Sequence, residues 1–273
     1  INKIPNVNFA AGSNRARFFQ IRGIGERSQF VNPVNPSVGV LIDDVDFSGA
    51  GTIATLMDVQ QVEVLRGPQG TRYGANALAG LINFSTNEPD EALFTSVKLS
   101  GGEFGTQTAG VVLNIPISET LLSRFVFESH ESDGYVENDF QDSNTTNDRD
   151  ELTGRAKFSW QVKKDWSLNL SLASIDIDNG YDAFSLDNNR HTLSDEPGFD
   201  RQNSVYVSLK SSWQLDGIDI EVLWNQSNSD LDYGYDEDWS FTGIHPWGYT
   251  STDHYFRERD TTSAEIRLLS NEA

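Results

Sequence analysis

The chain has 273 residues, with 41 acidic side chains against 20 basic ones, a net charge of -21 and no cysteine. The excess of negative charge argues against nucleic acid as a partner, because its phosphates would be repelled. The lack of cysteine excludes disulfides and thiolate metal sites. No run of about 18 apolar residues is present, which excludes a transmembrane helix but leaves a transmembrane barrel open.

Residues 1–90 combine short apolar segments with glycine-rich turns, which predicts a small mixed α/β unit with its own core. A helix is predicted at residues 52–59 and strands at residues 62–65 and 81–84. Between these two strands, turns are expected at Gly67 and Pro68 and at residues 70–74. The glycines there allow positive φ or a close approach of backbones, which predicts tight packing.

Glycine-rich turns between strands can also hold phosphates, so a nucleotide site is the alternative for residues 67–74. A phosphate loop requires GxxxxGK[ST], and a dinucleotide fold requires GxGxxG before a long helix. The segment contains neither pattern, and the residues after Gly74 are too interrupted by glycine for a long helix. We therefore do not predict nucleotide binding.

From residue 91 onward, apolar and polar side chains alternate with period two, as in strands that have two different faces. The second half of the chain is therefore predicted to be an antiparallel sheet of about eight strands. These strands are expected near residues 93–100, 108–115, 124–130, 153–162, 166–172, 205–213, 218–224 and 264–268. A soluble sandwich would bury the apolar face.

Two features favour a membrane barrel over the sandwich. Short turns near residues 118–119, 163–165 and 215–217 alternate with long loops at residues 131–151, 176–203 and 227–260, as in barrels with short periplasmic turns. Trp160, Trp166 and Trp213 lie at strand ends beside the short turns, where an aromatic girdle is expected. In this orientation Arg155, Lys157 and other polar side chains face inward, and apolar side chains face lipid.

The three long loops are rich in acidic residues, which could bind divalent cations. Residues 176–182 are the best local candidate, but they depart from the EF-hand spacing, so a solvated surface is favoured. The four histidines lack a metal-binding spacing, and no nucleophile stands beside a base, so we predict no metal site, no cofactor and no enzyme activity. Aromatic residues of the third loop could stack on a ligand or fold the loop onto itself. They are Trp239, Phe241, Trp247, Tyr249, Tyr255 and Phe256.

Residues 62–89 resemble the end of the plug domain of TonB-dependent outer-membrane receptors. The residues that carry the resemblance are Glu63, Leu65, Arg66, Gly67, Pro68, Gly70, Tyr73, Gly74, Ala79, Gly80, Ile82 and Asn83. Residues 21–25 and 38–45 resemble two earlier plug strands. The resemblance implies a fragment: residues 1–90 would be the C-terminal part of a plug, and residues 91–273 the first eight or so strands of a barrel of roughly 22.

The resemblance further implies a receptor in the outer membrane of a Gram-negative bacterium, in contact with lipid, that imports a scarce nutrient. A ferric siderophore is the expected cargo, with cobalamin, haem or oligosaccharides as other choices. The energy-coupling partner would be the TonB-ExbB-ExbD complex. Its contact segment, the TonB box, and a signal peptide are both expected upstream of Ile1. The alternative is a passive porin or a surface ligand-binding barrel without active transport.

The resemblance also implies two groups of site residues. Loops after two plug strands would point outward toward the cargo, or would be ordinary solvated turns; their residues are Arg27, Gln29, Phe30, Phe47 and Ser48. Arg22 and Arg66, with Glu63 orienting one of them, would lock the plug to acidic residues of the barrel wall. Because these wall acids come from later strands, we expect both arginines to lack some partners here. Alternatively, Arg66 bonds only within its own turn.

Overall fold

The computed structural model describes residues 4–10, 15–27, 35–50, 55–73, 76–244 and 246–271. They form an N-terminal unit, which ends near Asp90, and a large sheet, which we call the wall. The unit contains β1 Val7–Ala10, β2 Phe18–Ile21, β3 Val38–Ile42, β4 Val45–Asp46, β5 Val59–Arg66, α1 Gly70–Tyr73 and β6 Gly80–Thr86. Within the described ranges, no helix has the length and apolar character that a membrane crossing requires.

The N-terminal unit is built on a four-stranded mixed sheet in the order β4-β3-β6-β5, in which β3 runs parallel to β6. β1 and β2 form a separate antiparallel pair. The strands predicted at residues 62–65 and 81–84 are therefore confirmed as parts of β5 and β6. The helix predicted at residues 52–59 is wrong where it can be judged. Residues 55–58 make a turn and β5 begins at Val59, while residues 52–54 lie outside the described residues.

Two glycines explain the close packing of this sheet. Gly67 has a φ of +94°, which allows the chain to turn after β5. A Cβ on Gly80 would lie 2.5 Å from the carbonyl oxygen of Leu65 and 2.5 Å from Ile21 Cδ1. A side chain at position 80 would thus separate β6 from β5 and from β2, so this position requires glycine.

The wall is an antiparallel sheet in the order β16-β15-β14-β12-β11-β9-β8-β7. Its strands are β7 Phe94–Gly101, β8 Gln107–Pro116, β9 Leu121–Ser132, β11 Arg149–Lys163, β12 Trp166–Tyr181, β14 Gly198–Leu215, β15 Ile218–Asp236 and β16 Thr252–Ser270. Two short strands in the connections, β10 Glu137–Asn138 and β13 His191–Thr192, pair in parallel. Neither β7 nor β16 pairs with a further strand among the described residues, so the sheet is open at both sides.

The inner face of the wall packs against the N-terminal unit. Ile175, Ile177, Tyr206 and Leu231 of the wall share one buried core with residues of the unit such as Phe47. The polar side chains Arg155 and Lys157 also face inward and are buried. On the opposite face, large apolar side chains remain exposed, among them Phe127, Val205 and Leu209. A soluble sandwich would bury that face, so this alternative is wrong.

The strands extend further into the predicted long loops than their alternation indicated. β12 continues to Tyr181, β14 begins at Gly198, and β15 and β16 each have 19 residues. In these extensions the two faces exchange character. On β12, Ile175 and Ile177 face inward, whereas Asp178 faces outward and pairs with Arg201. An outer face that is acidic at this end is suited to water rather than lipid.

Candidate functional site

The contact between the N-terminal unit and the wall is the candidate functional site, because buried charges concentrate there. At its outer end, near the long loops, Arg15 and Arg17 of the unit share the carboxylate of Asp200 on β14. Arg15 donates to Asp200 at 2.9 Å and to Gln202 Oε1 at 2.5 Å. Asp200 is fully buried. Burial lowers the pKa of Arg17, and the adjacent Asp200 carboxylate opposes this shift.

Halfway along the wall, Lys157 of β11 binds three groups of the unit. Its Nζ lies 3.1 Å from Asp43 and 2.7 Å from Glu88, and it donates to the carbonyl oxygen of Thr86 at 3.3 Å. The Tyr206 hydroxyl of β14 donates to Asp43 at 3.4 Å, and its ring meets Phe47 edge to face at 5.7 Å. Asp43 therefore ties the tip of the β3–β4 turn to two wall strands.

Nearer the short turns, Arg124 of β9 binds Asp58 of the unit through both carboxylate oxygens. Nε donates at 2.7 Å and Nη2 at 2.5 Å, a bidentate arrangement. The side chains of Arg124 and Asp58 are 11% and 6% exposed, so the pair is largely dry. Arg155 of β11 adds a bond to the carbonyl oxygen of Met57. The unit is thus attached at several heights of the wall.

The residues predicted to lock the unit lie elsewhere. Arg22 and Arg66 are exposed, and neither forms an ion pair within the described part of the chain. Glu63 accepts a bond from Asn83 at 3.3 Å and does not contact either arginine by a hydrogen bond in the described residues. Their pairing with later wall strands stays a prediction.

The residues predicted to contact cargo are not gathered at one surface. Phe47 and Ser48 are buried; the Oγ of Ser48 accepts a bond from the amide of Val40 at 2.9 Å. Their burial argues against direct contact with a cargo in this state. Arg27 is exposed and donates to the Gly23 carbonyl oxygen at 3.1 Å. Gln29 and Phe30 lie outside the described residues.

Sequence reasoning missed Asp43, Asp58 and Asp200, which carry the observed attachment. Asp43 and Asp58 occupy turns with positive φ, of 49° and 60°, where aspartate is tolerated, so nothing in the local pattern separates them from ordinary turn residues. The sequence pattern indicates the role of Lys157 more clearly. It is a charge on the inward face of a regular alternating strand, and such a charge requires a partner when buried.

The long loops fold against one another above the wall. Asp182 is buried and accepts bonds from Asn138, Thr146 and Thr192 at 2.6–2.9 Å. Of the aromatic side chains in the third loop, Trp239 stacks on Phe184 at 4.8 Å and Phe241 on Phe140 at 4.8 Å. These rings fold the loops together. Trp247 is 90% exposed and is free to meet a partner.

The carboxylates of residues 176–182, the candidate cation segment, do not meet at one site. Asp178 pairs with Arg201, and Asp182 accepts a hydrogen bond from Asn138 within the loops. Three exposed side chains elsewhere, Glu137, Asp139 and His191, place their ligand atoms within 4.8 Å of one another. They could hold a metal ion, but exposed groups often lie this close without one. The pairing of β10 with β13 brings them together, which the spacing of the histidines could not indicate.

Comparison with known proteins gives consistent results for both halves of the chain. Residues 1–81 match the family model of the TonB-dependent Receptor Plug Domain. The pesticin receptor of Yersinia pestis is 40% identical over 88 residues, which are 32% of this chain and 13% of that receptor. The ferric enterobactin receptor PirA of Pseudomonas aeruginosa is 26% identical over 96% of this chain and 35% of its own length.

Among solved structures, the ferric yersiniabactin uptake receptor FyuA from Yersinia pestis superimposes with a TM-score of 0.79 at 19% identity. That match covers 99% of this chain and 42% of the receptor. The chain therefore spans well under half the length of the relatives that it matches along nearly its whole length. At this identity the structural likeness shows the fold, a plug followed by antiparallel barrel strands, as the sequence predicted.

Proposed function

Since the chain is a plug domain continued by barrel strands of a TonB-dependent outer-membrane receptor of Gram-negative bacteria, and not an enzyme, we propose that it forms part of a transporter for a ferric siderophore. The TonB-ExbB-ExbD complex would supply the energy by acting on the plug. In this proposal residues 1–90 are the plug and residues 91–273 belong to the barrel wall.

The observation that carries the proposal is the buried, charged attachment of the plug to the wall. Asp58 with Arg124 and Asp43 with Lys157 hold the plug against the inner face by ion pairs that are almost inaccessible to water. A passive porin requires an aqueous channel. Breaking buried ion pairs is costly. A plug that is held in this way therefore favours a transport path that opens only when work is done on the plug.

The choice of cargo is supported by the relatives, which are named as receptors for ferric enterobactin and ferric yersiniabactin. For contact with the cargo we retain Arg27, Gln29 and Phe30 as candidates, since Arg27 is exposed beyond β2. Phe47 and Ser48 lie beneath, in the plug core, where they would support a binding surface without touching the cargo.

Energy-dependent uptake separates the proposal from the passive alternative. The full-length receptor is expressed in a Gram-negative strain without other siderophore receptors, and cells receive ferric enterobactin or ferric yersiniabactin labelled with radioactive iron. We expect uptake that stops with a protonophore or without TonB, while binding to the cells persists. Uptake that ignores both treatments would indicate a passive barrel. Binding without any uptake would indicate a surface receptor.

A further inference from the structure

Three buried oxygen atoms without a hydrogen-bond partner are found where the second of the long loops meets the third. They are Asp236 Oδ2 at the end of β15 and, on the second loop, Ser194 Oγ and Asp195 Oδ1. Asp236 and Ser194 are 5% and 1% exposed. Within the described ranges no other carboxylate oxygen is buried without a partner. Buried polar atoms normally have partners, so a water molecule or an ion is expected at this place.

The two loops are held side by side at this point. The amide of Asp195 donates to the carbonyl oxygen of Ser240 at 3.1 Å, which brings residues 194–195 beside residues 236–240. Burial raises the pKa of Asp236, and the nearby Ser194 hydroxyl opposes this shift. The two side chains nevertheless form no hydrogen bond of normal length and angle, so both oxygens stay available to a ligand.

The other oxygens of this turn are already engaged. Asp236 Oδ1 accepts two amide bonds at 3.0 Å within its own turn. Asp238 accepts bonds from Ser240 and from the amide of Ser251, and its charge adds to the negative potential at Asp236. In the part of the chain that the structure describes, neither Asp195 nor Asp236 belongs to an ion pair. Their charges are therefore not balanced by a basic side chain.

We propose that a calcium ion binds at this place, held by Asp236 Oδ2, Asp195 Oδ1 and Ser194 Oγ, and fastens the second loop to the third. Calcium takes about 6–8 oxygen ligands in a flexible geometry, and water completes its shell. One carboxylate from each loop balances its double charge. Magnesium fits less well, because it requires octahedral geometry and loses its waters reluctantly. The proposal does not depend on the transport function.

Hydrogen exchange of the full-length receptor in detergent tests the site, with calcium chloride as the probe after treatment with a chelator. For a Kd of about 10⁻⁴–10⁻³ M, as in extracellular calcium modules, about 10 mM calcium should slow the local opening of residues 194–196 and 236–240 at least about tenfold. Magnesium at the same concentration should slow it less. Absence of protection by calcium in the natural receptor would overturn the proposal, as would equal protection by magnesium.

A pair of matched variants locates the effect. Asp236→Asn should reduce the protection by calcium to less than about twofold, because it removes the charge of one ligand. The control is Asp230→Asn, which changes the net charge equally at an exposed carboxylate of the same strand and should keep the full protection. Equal losses in the two variants would indicate diffuse binding of calcium to an acidic surface and would overturn the proposal.

Discussion

At the scale of single residues, the charged pairs differ widely in how much each should contribute to the free energy of unfolding. Asp58 and Arg124 are nearly dry and bidentate, whereas Lys98 and Glu128, at 2.9 Å, share an ion pair in which Lys98 is half exposed. Both pairs are short, so distance alone would rank them equally. Burial separates them, because an exposed partner recovers its hydration when the pair is broken.

We predict that Asp58→Asn lowers the free energy of unfolding by about 3–5 kcal/mol, because Arg124 would keep a buried charge without its partner. The control Glu128→Gln should cost less than about 1 kcal/mol, since Lys98, the charge left without its partner, is 51% exposed. Denaturant unfolding of the chain refolded in detergent, followed by tryptophan fluorescence, measures both. Equal costs for the two variants would contradict the buried attachment.

His191 gives the loops a dependence on pH. Its pKa is raised above the ordinary 6.5 by the hydrogen bond to Asp139, by the charge of that carboxylate and by Glu137, against the opposing effects of desolvation and of Arg190. The protonated ring therefore stabilises the contact of β10 with β13. That contribution is complete below the unfolded pKa of about 6.5 and is lost as the pH rises through the higher folded value.

We accordingly expect hydrogen exchange in residues 137–138 and 191–192 to be slower at pH 6 than at pH 8, after correction for the intrinsic rate. His191→Gln should remove this extra dependence, because its side chain does not titrate. Residues 168–172 of β12, which pair with segments that contain no histidine, serve as the internal control. If the natural chain and the variant respond alike, His191 does not stabilise the loops.

At the scale of elements, the sequence predicted the strands where their outer face meets lipid, and failed where it meets water. Period-two alternation predicts all eight wall strands where the apolar side chains face outward. Beyond residue 174 of β12 the inward side chains become apolar and the outward ones acidic, and this reversed pattern resembles an acidic loop in the sequence. Asp43, Asp58 and Asp200 could not be predicted as partners, because their contacts join positions 66 to 185 residues apart.

Two substitutions at nearly the same height of the wall, one on each face, can test which face of the strands meets lipid. Leu170 faces outward on β12 opposite Phe158, and Ser159, one residue further along β11, faces inward. Leu170→Arg should lower the free energy of unfolding in the membrane by about 2–4 kcal/mol, because it places a charge on the lipid face near the midplane. Ser159→Arg should cost far less. Folding titrations in lipid vesicles give both values, and similar costs would mean that the faces are assigned wrongly.

At the scale of the whole molecule, substitution of the exposed Arg66 should have different effects on this chain alone and on the full-length receptor. Within the described residues Arg66 has no ion pair, so Arg66→Ala should change the stability of this chain by no more than about 0.5 kcal/mol. In the full-length receptor the same change should loosen the plug and impair energy-dependent uptake, with cargo binding largely kept.

Uptake assays and sensitivity to large antibiotics would measure the effect of Arg66→Ala in cells. Arg22→Ala is a useful companion, since Arg22 is also exposed. Normal uptake together with unchanged antibiotic resistance would show that Arg66 serves only its own turn.

The length of the wall strands has a consequence for kinetics. A strand of 19 residues such as β15 is roughly 63 Å long, and at a tilt near 45° it rises about 45 Å, whereas the apolar band of such barrels is about 25 Å tall. About 20 Å of sheet therefore stands above the lipid. In the complete receptor that we propose, a cargo molecule that dissociates from the top of the plug would begin its escape inside a narrow well and would collide with the plug many times before it leaves. Net release of the cargo would then be slower than the dissociation step itself, so a modest intrinsic affinity would give a long residence time.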